Sequence, residues 1–425
     1  MPVEDAAIAT GGDGAAPDLA GEDAAVSDAG ELAGDDADGG PPAEVFPGTN
    51  IRFHPCIGVR PWVSGYSGGA DWFLDLWTEF LEPREDAWRD DDPPTYLCVQ
   101  KKFRWKDFYV DEDVAPSSAD QARDPSWDNY AWNDVDIIAE ILATEPITSG
   151  KAKLSILVAD QATADAHSQP RWYADQGLTY GRESGECSRL DLAEGRRHVA
   201  DFYVALQRKF GTEPGLMGIV LGEYFRGPSA YLPDDFDTDE YFRGRRFIWE
   251  QMAASAPLDD EGRRIAIYQT NPVLRSGVTG DDMVASGIGM SESDFAIFDE
   301  GCGESDDDRW CDPGTRSRLA QDAYYDRLFP TMINGDAARA RRAVQYVWSG
   351  IDNPWGWRAG EEHAPTPQEI VWYHGDGGVV PQSSIFLKIT GEGTFTIENW
   401  FDAFDRFGPG GSAAADWGRV PAILP

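Results

Sequence analysis

Apolar residues recur along this chain in two rhythms, short unbroken runs and longer stretches at helical spacing, and the two alternate. The segment Gly215-Leu-Met-Gly-Ile-Val-Leu-Gly-Glu-Tyr-Phe225 shows the first rhythm. Its Ile219, Val220 and Leu221 lack polar interruption, as expected of a strand buried on both faces, and the run stops at Gly222 and the carboxylate Glu223. Comparable runs predict strands within 49–62, 96–100 (running on to Phe103), 152–159, 264–268, 282–290, 342–348 and 384–389. The second rhythm predicts helices over 71–80, 132–142, 191–211, 241–252 and 315–329. Of these, 191–211 is the clearest, with Leu192, Val199, Phe202, Tyr203, Leu206 and Phe210 on one face and Gly211 at its end.

Eight short strands separated mostly by helices are the pattern of a closed parallel (β/α)8 barrel of the TIM type. A doubly wound open sheet alternates in the same way, but the first strand-to-helix turn carries no G-x-G-x-x-G and no P-loop occurs in the chain. In a barrel the carboxyl ends of the strands form the active-site face, which makes a glutamate just past a buried strand a candidate catalytic group. The barrel is expected over residues 47–425. Residues 1–46 hold no Lys or Arg and one aromatic, Phe46, and cannot bury enough apolar surface to offset ordering. They are read as a disordered acidic tail, either a solvated leader or a tether to a larger assembly.

Charge changes the picture next. The 425 residues carry 75 Asp and Glu against 36 Lys and Arg, a formal net charge of −39. Lysine is confined to Lys101, Lys102, Lys106, Lys151, Lys153, Lys209 and Lys388, so arginine supplies most of the positive charge. Such a balance resembles salt-in haloarchaeal proteins, cellular or viral, in which concentrated salt screens the repulsion between carboxylates; an acidic mesophilic protein is the other reading. It disfavours nucleic acid and anionic membranes as partners. No apolar run approaches the ~20 residues that span a bilayer, and the start Met-Pro-Val-Glu-Asp has neither the basic nor the apolar region of an export signal. A cytoplasmic or virion-associated location is the expectation. The cysteines Cys56, Cys98, Cys187, Cys302 and Cys311 lack metal-ligand spacing; Cys302 and Cys311 are either bridged across one acidic loop or free. No cofactor motif and no metal site is expected.

Phe103-Arg-Trp-Lys-Asp-Phe-Tyr-Val-Asp-Glu112, followed by Asn129-Tyr-Ala-Trp-Asn-Asp-Val-Asp-Ile-Ile138, resembles the second strand-helix unit of glycoside hydrolases of the beta-galactosidase and cellulase-like superfamily. Pro170-Arg-Trp172 is similar to their third-strand loop, and Gly222-Glu223-Tyr224 stands where their fourth-strand acid/base glutamate stands. The resemblance implies a barrel over most of 49–400, a carbohydrate ligand and Glu223 as proton donor. Two positions depart from the pattern. The superfamily has Asn before the acid/base, where this chain has Gly222. Its nucleophile ends the seventh strand, where Trp348-Ser-Gly-Ile-Asp352 offers no glutamate. The strand count is off by one, or Glu292 at the end of the sixth strand has taken the role, or the nucleophile is lost.

Glycosidic cleavage calls for a proton delivered to the leaving oxygen and a second carboxylate, about 5 Å away in retaining enzymes and about 6.5–9.5 Å in inverting ones. Glu223 and Glu292 are the candidate catalytic pair. Aromatic faces that could stack on sugar rings gather at the predicted strand ends, with Trp62, Trp105, Trp172, Tyr224, Tyr268, Trp348 and Trp355 among them, and about half of such rings are expected to belong to the core. Arg60, Gln269, Asn271 and Asp352 are candidate hydrogen-bond partners for hydroxyls. A non-catalytic carbohydrate-binding or virion-attachment protein that keeps the cleft is the competing reading, and a barrel with no ligand is a third.

Overall fold

The computed structural model describes residues 51–52, 56–61, 70–84, 96–116, 124–132, 136–160, 168–182, 185–222, 232–270, 278, 280–292, 296–298, 347–350, 355–358, 361–363 and 384–389. All lie in the unit Val45–Pro425. The tail over 1–46 and the helix expected at 315–329 fall outside the described residues, as do Cys302 and Cys311.

The strands in chain order are β1 (Ile51–Arg52), β2 (Cys56–Pro61), β3 (Tyr96–Arg104), β4 (Ala152–Ala159), β5 (Thr179–Arg182), β6 (Gly185–Ser188), β7 (Leu216–Leu221), β8 (Arg264–Thr270), β9 (Ile288–Glu292), β10 (Ala296–Phe298), β11 (Val347–Gly350), β12 (Trp355–Arg358), β13 (Glu361–His363) and β14 (Ser384–Ile389). The helices are α1 (Ala70–Leu76), α2 (Asp136–Leu142), α3 (Glu145–Thr148), α4 (Arg171–Asp175), α5 (Ala193–Phe210), α6 (Thr238–Ser255) and α7 (Gly280–Ala285). The protein is α/β, and its main sheet is parallel. In chain order β2, β3, β4, β7, β8, β9, β11 and β14 each pair with the next, and β14 pairs with β2. That makes β7 the fourth strand of the series, β9 the sixth and β11 the seventh.

Register explains why these runs lack polar interruption. Leu157, Val220 and Tyr268 are partners across β4, β7 and β8 and belong to one small apolar cluster with Cys98, Met217 and Ala266. Their neighbours Ile156, Ile219 and Ile267 are likewise partners, but belong to the large cluster that includes the helices. Both faces of β4, β7 and β8 are therefore dry, and period-2 polarity has nowhere to appear there. The long helices follow the same logic. Val199, Phe202, Leu206 and Phe210 of α5 and Tyr241, Phe242, Ile248, Trp249 and Met252 of α6 are buried in the large cluster. Asp237 caps α6 by accepting from the backbone N–H groups of Asp239 and Glu240 at 2.9 and 3.0 Å.

One expected strand is half helix. Residues 282–285, read as the start of the sixth strand, belong to α7, and the strand begins only at Ile288. Gly287 turns the chain between them at φ +59°, a left-handed backbone angle that glycine adopts without strain. At the start of β7, Arg52 seals the strand through its guanidinium: Nη2 donates to the carbonyls of Gly211, Glu213 and Leu216 at 3.1, 2.8 and 3.0 Å. Nη1 adds the carbonyl of Thr212 at 3.2 Å. One buried cation thereby serves four backbone acceptors, two of them, Gly211 and Leu216, in buried bonds. Cys187 is a buried thiol outside any disulfide, and Cys98 is disulfide-bonded.

Candidate functional site at the end of β7

The chain leaves β7 through Gly222, where the backbone of β4 comes too close for any side chain. A Cβ on Gly222 would fall inside the carbonyl oxygen of Val158, 2.7 Å from the amide nitrogen of Asp160 and 3.0 Å from the Cα of Ala159. An asparagine, which the sequence resemblance led one to expect here, does not fit without moving the strand end. The departure at Gly222 is thus a packing requirement of this sheet.

Gly222 is gripped from the other side by Gln269 of β8. The amide Nε2 of Gln269 donates to the carbonyl of Gly222 at 3.1 Å and to that of Thr270 at 3.1 Å, and its Oε1 accepts from the indole Nε1 of Trp249 at 3.0 Å. Gln269 is fully buried. Sequence reasoning offered it as a partner for sugar hydroxyls, and the structure corrects this. As the partner of Leu221, Gln269 lies on the helix side of the sheet, and both ends of its amide are committed within the fold.

A second carboxyl stands at the end of the adjacent strand. Asp160 follows β4, two residues past the partner of Leu221. Its Oδ1 accepts from the hydroxyl of Ser188 and from Nε2 of Gln169 (3.2 Å), and its Oδ2 accepts from the amide N–H of Ser188 at 3.2 Å. Nε2 of Gln169 also donates to the Asp160 carbonyl. Burial pushes the Asp160 carboxyl up to about 6, against these hydrogen bonds, which pull it down. The same burial, with Asp160 nearby, holds the Tyr173 hydroxyl well above the ordinary tyrosine range. Asp160 thus binds the β5–β6 hairpin to the end of β4. Sequence reasoning missed it, although the rule that singled out Glu223, an acid directly after a buried apolar run, applies equally to Leu-Val-Ala-Asp160.

The aromatic motif that carried the family resemblance is a packing unit. Trp105, Phe108, Tyr109, Tyr130, Trp132, Trp172 and Tyr173 are buried with Phe202 and Phe210 of α5, mostly edge-on or tilted, with centroids 4.6 to 6.2 Å apart. The Trp105 indole donates to the Tyr109 hydroxyl at 3.2 Å. Among the candidate stacking residues, Trp105, Trp172 and Tyr268 are 2%, 3% and 1% exposed.

The remaining candidates are placed only by backbone, or not at all. Arg60 pairs in register with Lys388, Trp348 with Ser384 and Ser291, and Glu292, the last residue of β9, with Ser349. Trp355 opens β12, in a small separate sheet with β10 and β13 that sequence reasoning did not foresee. Glu223, Trp62, Tyr224, Asn271 and Asp352 lie outside the described residues. With β11 seventh in the series, the strand count stands. Val347-Trp-Ser-Gly350 ends the seventh strand without a glutamate, and Glu292 ends the sixth. No group of three His, Cys, Asp or Glu among the described residues could hold a metal ion.

No protein family and no curated protein matches the sequence. Among solved structures, the chain is similar to the beta-galactosidase of the psychrophilic Marinomonas ef1, with 10% identity and a TM-score of 0.40 over 80% of this chain and 55% of that one. It is also similar to the cold-adapted beta-galactosidase of Rahnella sp. R3, with 10% identity and a TM-score of 0.43 over 89% and 55%. A Bacteroidetes-affiliated GH5 cellulase linked with a polysaccharide utilization locus gives 10% identity and a TM-score of 0.40 over 90% and 96%. The chain spans about half the length of the two beta-galactosidases. At these identities and TM-scores the likenesses assign no residue a role, and the fold rests on strand pairing and register. No helix among the described residues is long and apolar enough to cross a membrane.

Proposed function

We propose that the parallel series is a closed (β/α)8 barrel and that the protein is a glycoside hydrolase with Glu223 as general acid/base. The observation that carries the reading is the end of β7. A strand buried on both faces stops at a glycine pinned by β4 and β8, and the next residue is a carboxylate at the carboxyl end of the series. Glu292, at the end of the sixth strand, is the proposed second carboxylate. Arg60, Trp62, Tyr224, Asn271, Trp348, Asp352 and Trp355 are proposed to line the sugar site, while Trp105, Trp172 and Tyr268 are buried in the core. A carbohydrate suits a surface whose charge of −39 repels polyanions. The acidic tail over 1–46 is proposed as a solvated leader or tether.

The test is Glu223→Gln in concentrated salt against a panel of aryl glycosides. The variant should keep its circular dichroism and lose about 10²-fold or more in kcat/KM, the worth of a general acid. Unchanged turnover would remove Glu223 from the mechanism. The glutamate-free end of β11 supports one alternative, a carbohydrate-binding barrel without turnover. In that case wild type binds an oligosaccharide by calorimetry and cleaves none of the panel.

A further inference from the structure

The six neighbouring strands β14, β2, β3, β4, β7 and β8 contain no Asp or Glu, although the chain carries 75 of them. The same strands contain seven of its 36 Lys and Arg. Burial by itself excludes charges of both signs, so the imbalance has another cause. Three of the seven are accounted for within the fold. Lys101, the partner of Ile156, lies on the helix side with its Nζ 4.6 Å from the centre of the Trp72 ring. Arg104 forks the carboxylate of Asp107 at 2.7 and 3.0 Å, and Lys153 donates to the carbonyl of Pro214 at 3.0 Å. Arg264 starts β8, at the opposite end of the strands from the candidate site.

Arg60, Lys102 and Lys388 remain, on three adjacent strands. Lys102 is the partner of Leu157, and so shares the face of the small apolar cluster with Cys98, four residues earlier. Cys98 is the partner of Gly58, and Arg60, two residues on, takes the same face. Lys388 is in turn the partner of Arg60. Counted from the pair of Gly58 and Cys98, Arg60 lies two residues and Lys102 four residues toward the carboxyl ends, the side on which a barrel has its ligand site. Partners on neighbouring strands are about 4.8 Å apart, and two cations on one face at that spacing repel. An anion held between them reverses the sign. Lys102 is half-buried, where a charge pair is screened less than on the surface.

We propose that the face where β14, β2 and β3 adjoin binds the acidic substituent of a sugar, a carboxylate or a sulfate, and that the substrate is an acidic glycoside. This rests on the carbohydrate reading and names its substrate class. A single acidic sugar also suits the rest of the molecule. The net charge of −39 opposes a long polyanion, whereas three local cations match one charged group.

The test is calorimetry on the full-length protein in concentrated sodium chloride at fixed ionic strength. The probes are methyl β-D-glucuronide, glucose 6-sulfate, methyl β-D-glucoside and inorganic sulfate. Wild type should bind one of the two acidic sugars at least about tenfold more tightly than the neutral glucoside, the scale of a charge-assisted hydrogen bond. Which of the two binds tells carboxylate from sulfate recognition. Lys102→Gln should lower the acidic-to-neutral ratio by about tenfold, and Lys388→Gln, on a different strand, makes the same test if Lys102→Gln does not fold. Lys209→Gln removes the same charge from an exposed position on α5 and should leave the ratio in place, which separates a local effect from one of net charge.

No binding of either acidic sugar, a ratio near one in wild type, or a ratio that survives both Lys102→Gln and Lys388→Gln overturns the proposal. So does inorganic sulfate binding as tightly as glucose 6-sulfate, since the face would then recognise an anion and no sugar. Turnover of neutral aryl glycosides with a ratio near one would keep the hydrolase reading and end this one. Binding of an acidic sugar with no turnover of its aryl glycoside would do the reverse.

Discussion

Asp160 is buried beneath a hairpin, and its carboxyl titrates at about 6 where an ordinary aspartate has 3.8. The folded state holds this proton more tightly than the unfolded chain does. The group's contribution to stability is therefore complete below about 3.8 and is lost as pH rises through about 6. Roughly two units at ~1.4 kcal/mol each put the loss on the order of 3 kcal/mol. That is large against the 5–15 kcal/mol typical of a domain. Asp160→Asn keeps the shape and an acceptor oxygen for Ser188 but has no proton to lose. Denaturant unfolding at fixed high salt, repeated from about pH 4 to pH 7, should show wild type losing stability relative to Asp160→Asn by that order. A difference that stays constant over the window would mean that Asp160 does not exchange its proton there. The sign distinguishes it from the surface carboxylate Glu240, which Arg196 and Arg243 hold below the ordinary range.

At the scale of elements, the sequence was most legible where burial is complete. The run 152–159 matches β4, which is buried at every position, and 384–389 matches β14 in its bounds. Helix 191–211 was legible from its apolar stripe and from the exposed charges Glu194, Arg197 and Arg208 toward its ends, although α5 is buried on every side from Val199 to Gln207. What escaped was decided by contacts distant in sequence. The β5–β6 hairpin, Thr-Tyr-Gly-Arg182 against Gly-Glu-Cys-Ser188, has too little periodicity of its own and is fixed by Asp160 and Gln169. The role of Gln269 was hidden for the same reason, since its partners are Trp249 and Gly222. Helix glycines show the same competition between local and distant terms. Gly244 lies inside α6, where alanine would gain about 1 kcal/mol of helix propensity. Yet a methyl there would overlap the carbonyl oxygen of Leu190 and approach its Cβ to 3.0 Å. Overpacking of this kind costs about 1–3 kcal/mol. Gly244→Ala should therefore destabilise by up to about 2 kcal/mol in urea unfolding, the close approach of α6 to Leu190 outweighing propensity. A stabilised variant would show that the 190s segment yields to the added methyl.

Across the whole molecule the decisive quantity is the formal charge of −39. Several of the chain's scarce cations are spent inside. Arg52, Arg189, Arg245 and Arg264 are all buried, with Arg52 on backbone carbonyls and Arg189 on Asp191 at 2.6 Å. Their charge is drawn away from the surface, so the exposed layer is left with more carboxylates than the total suggests, and compaction works against their repulsion. Salt shortens the reach of that repulsion from about 10 Å at 0.1 M to about 3 Å at 1 M. The thermal midpoint should therefore climb steeply between these concentrations and flatten above them. Two mechanisms would raise it, and they separate by anion. Screening depends on ionic strength, so sodium chloride and sodium sulfate at matched ionic strength should give nearly the same rise. Strengthened apolar burial would favour sulfate and continue to grow beyond 1 M, since excluded anions act on surface area rather than on charge. A midpoint that responds to sulfate and barely to chloride would mean that the carboxylate layer is not what limits this fold, and that its acidity serves solubility alone.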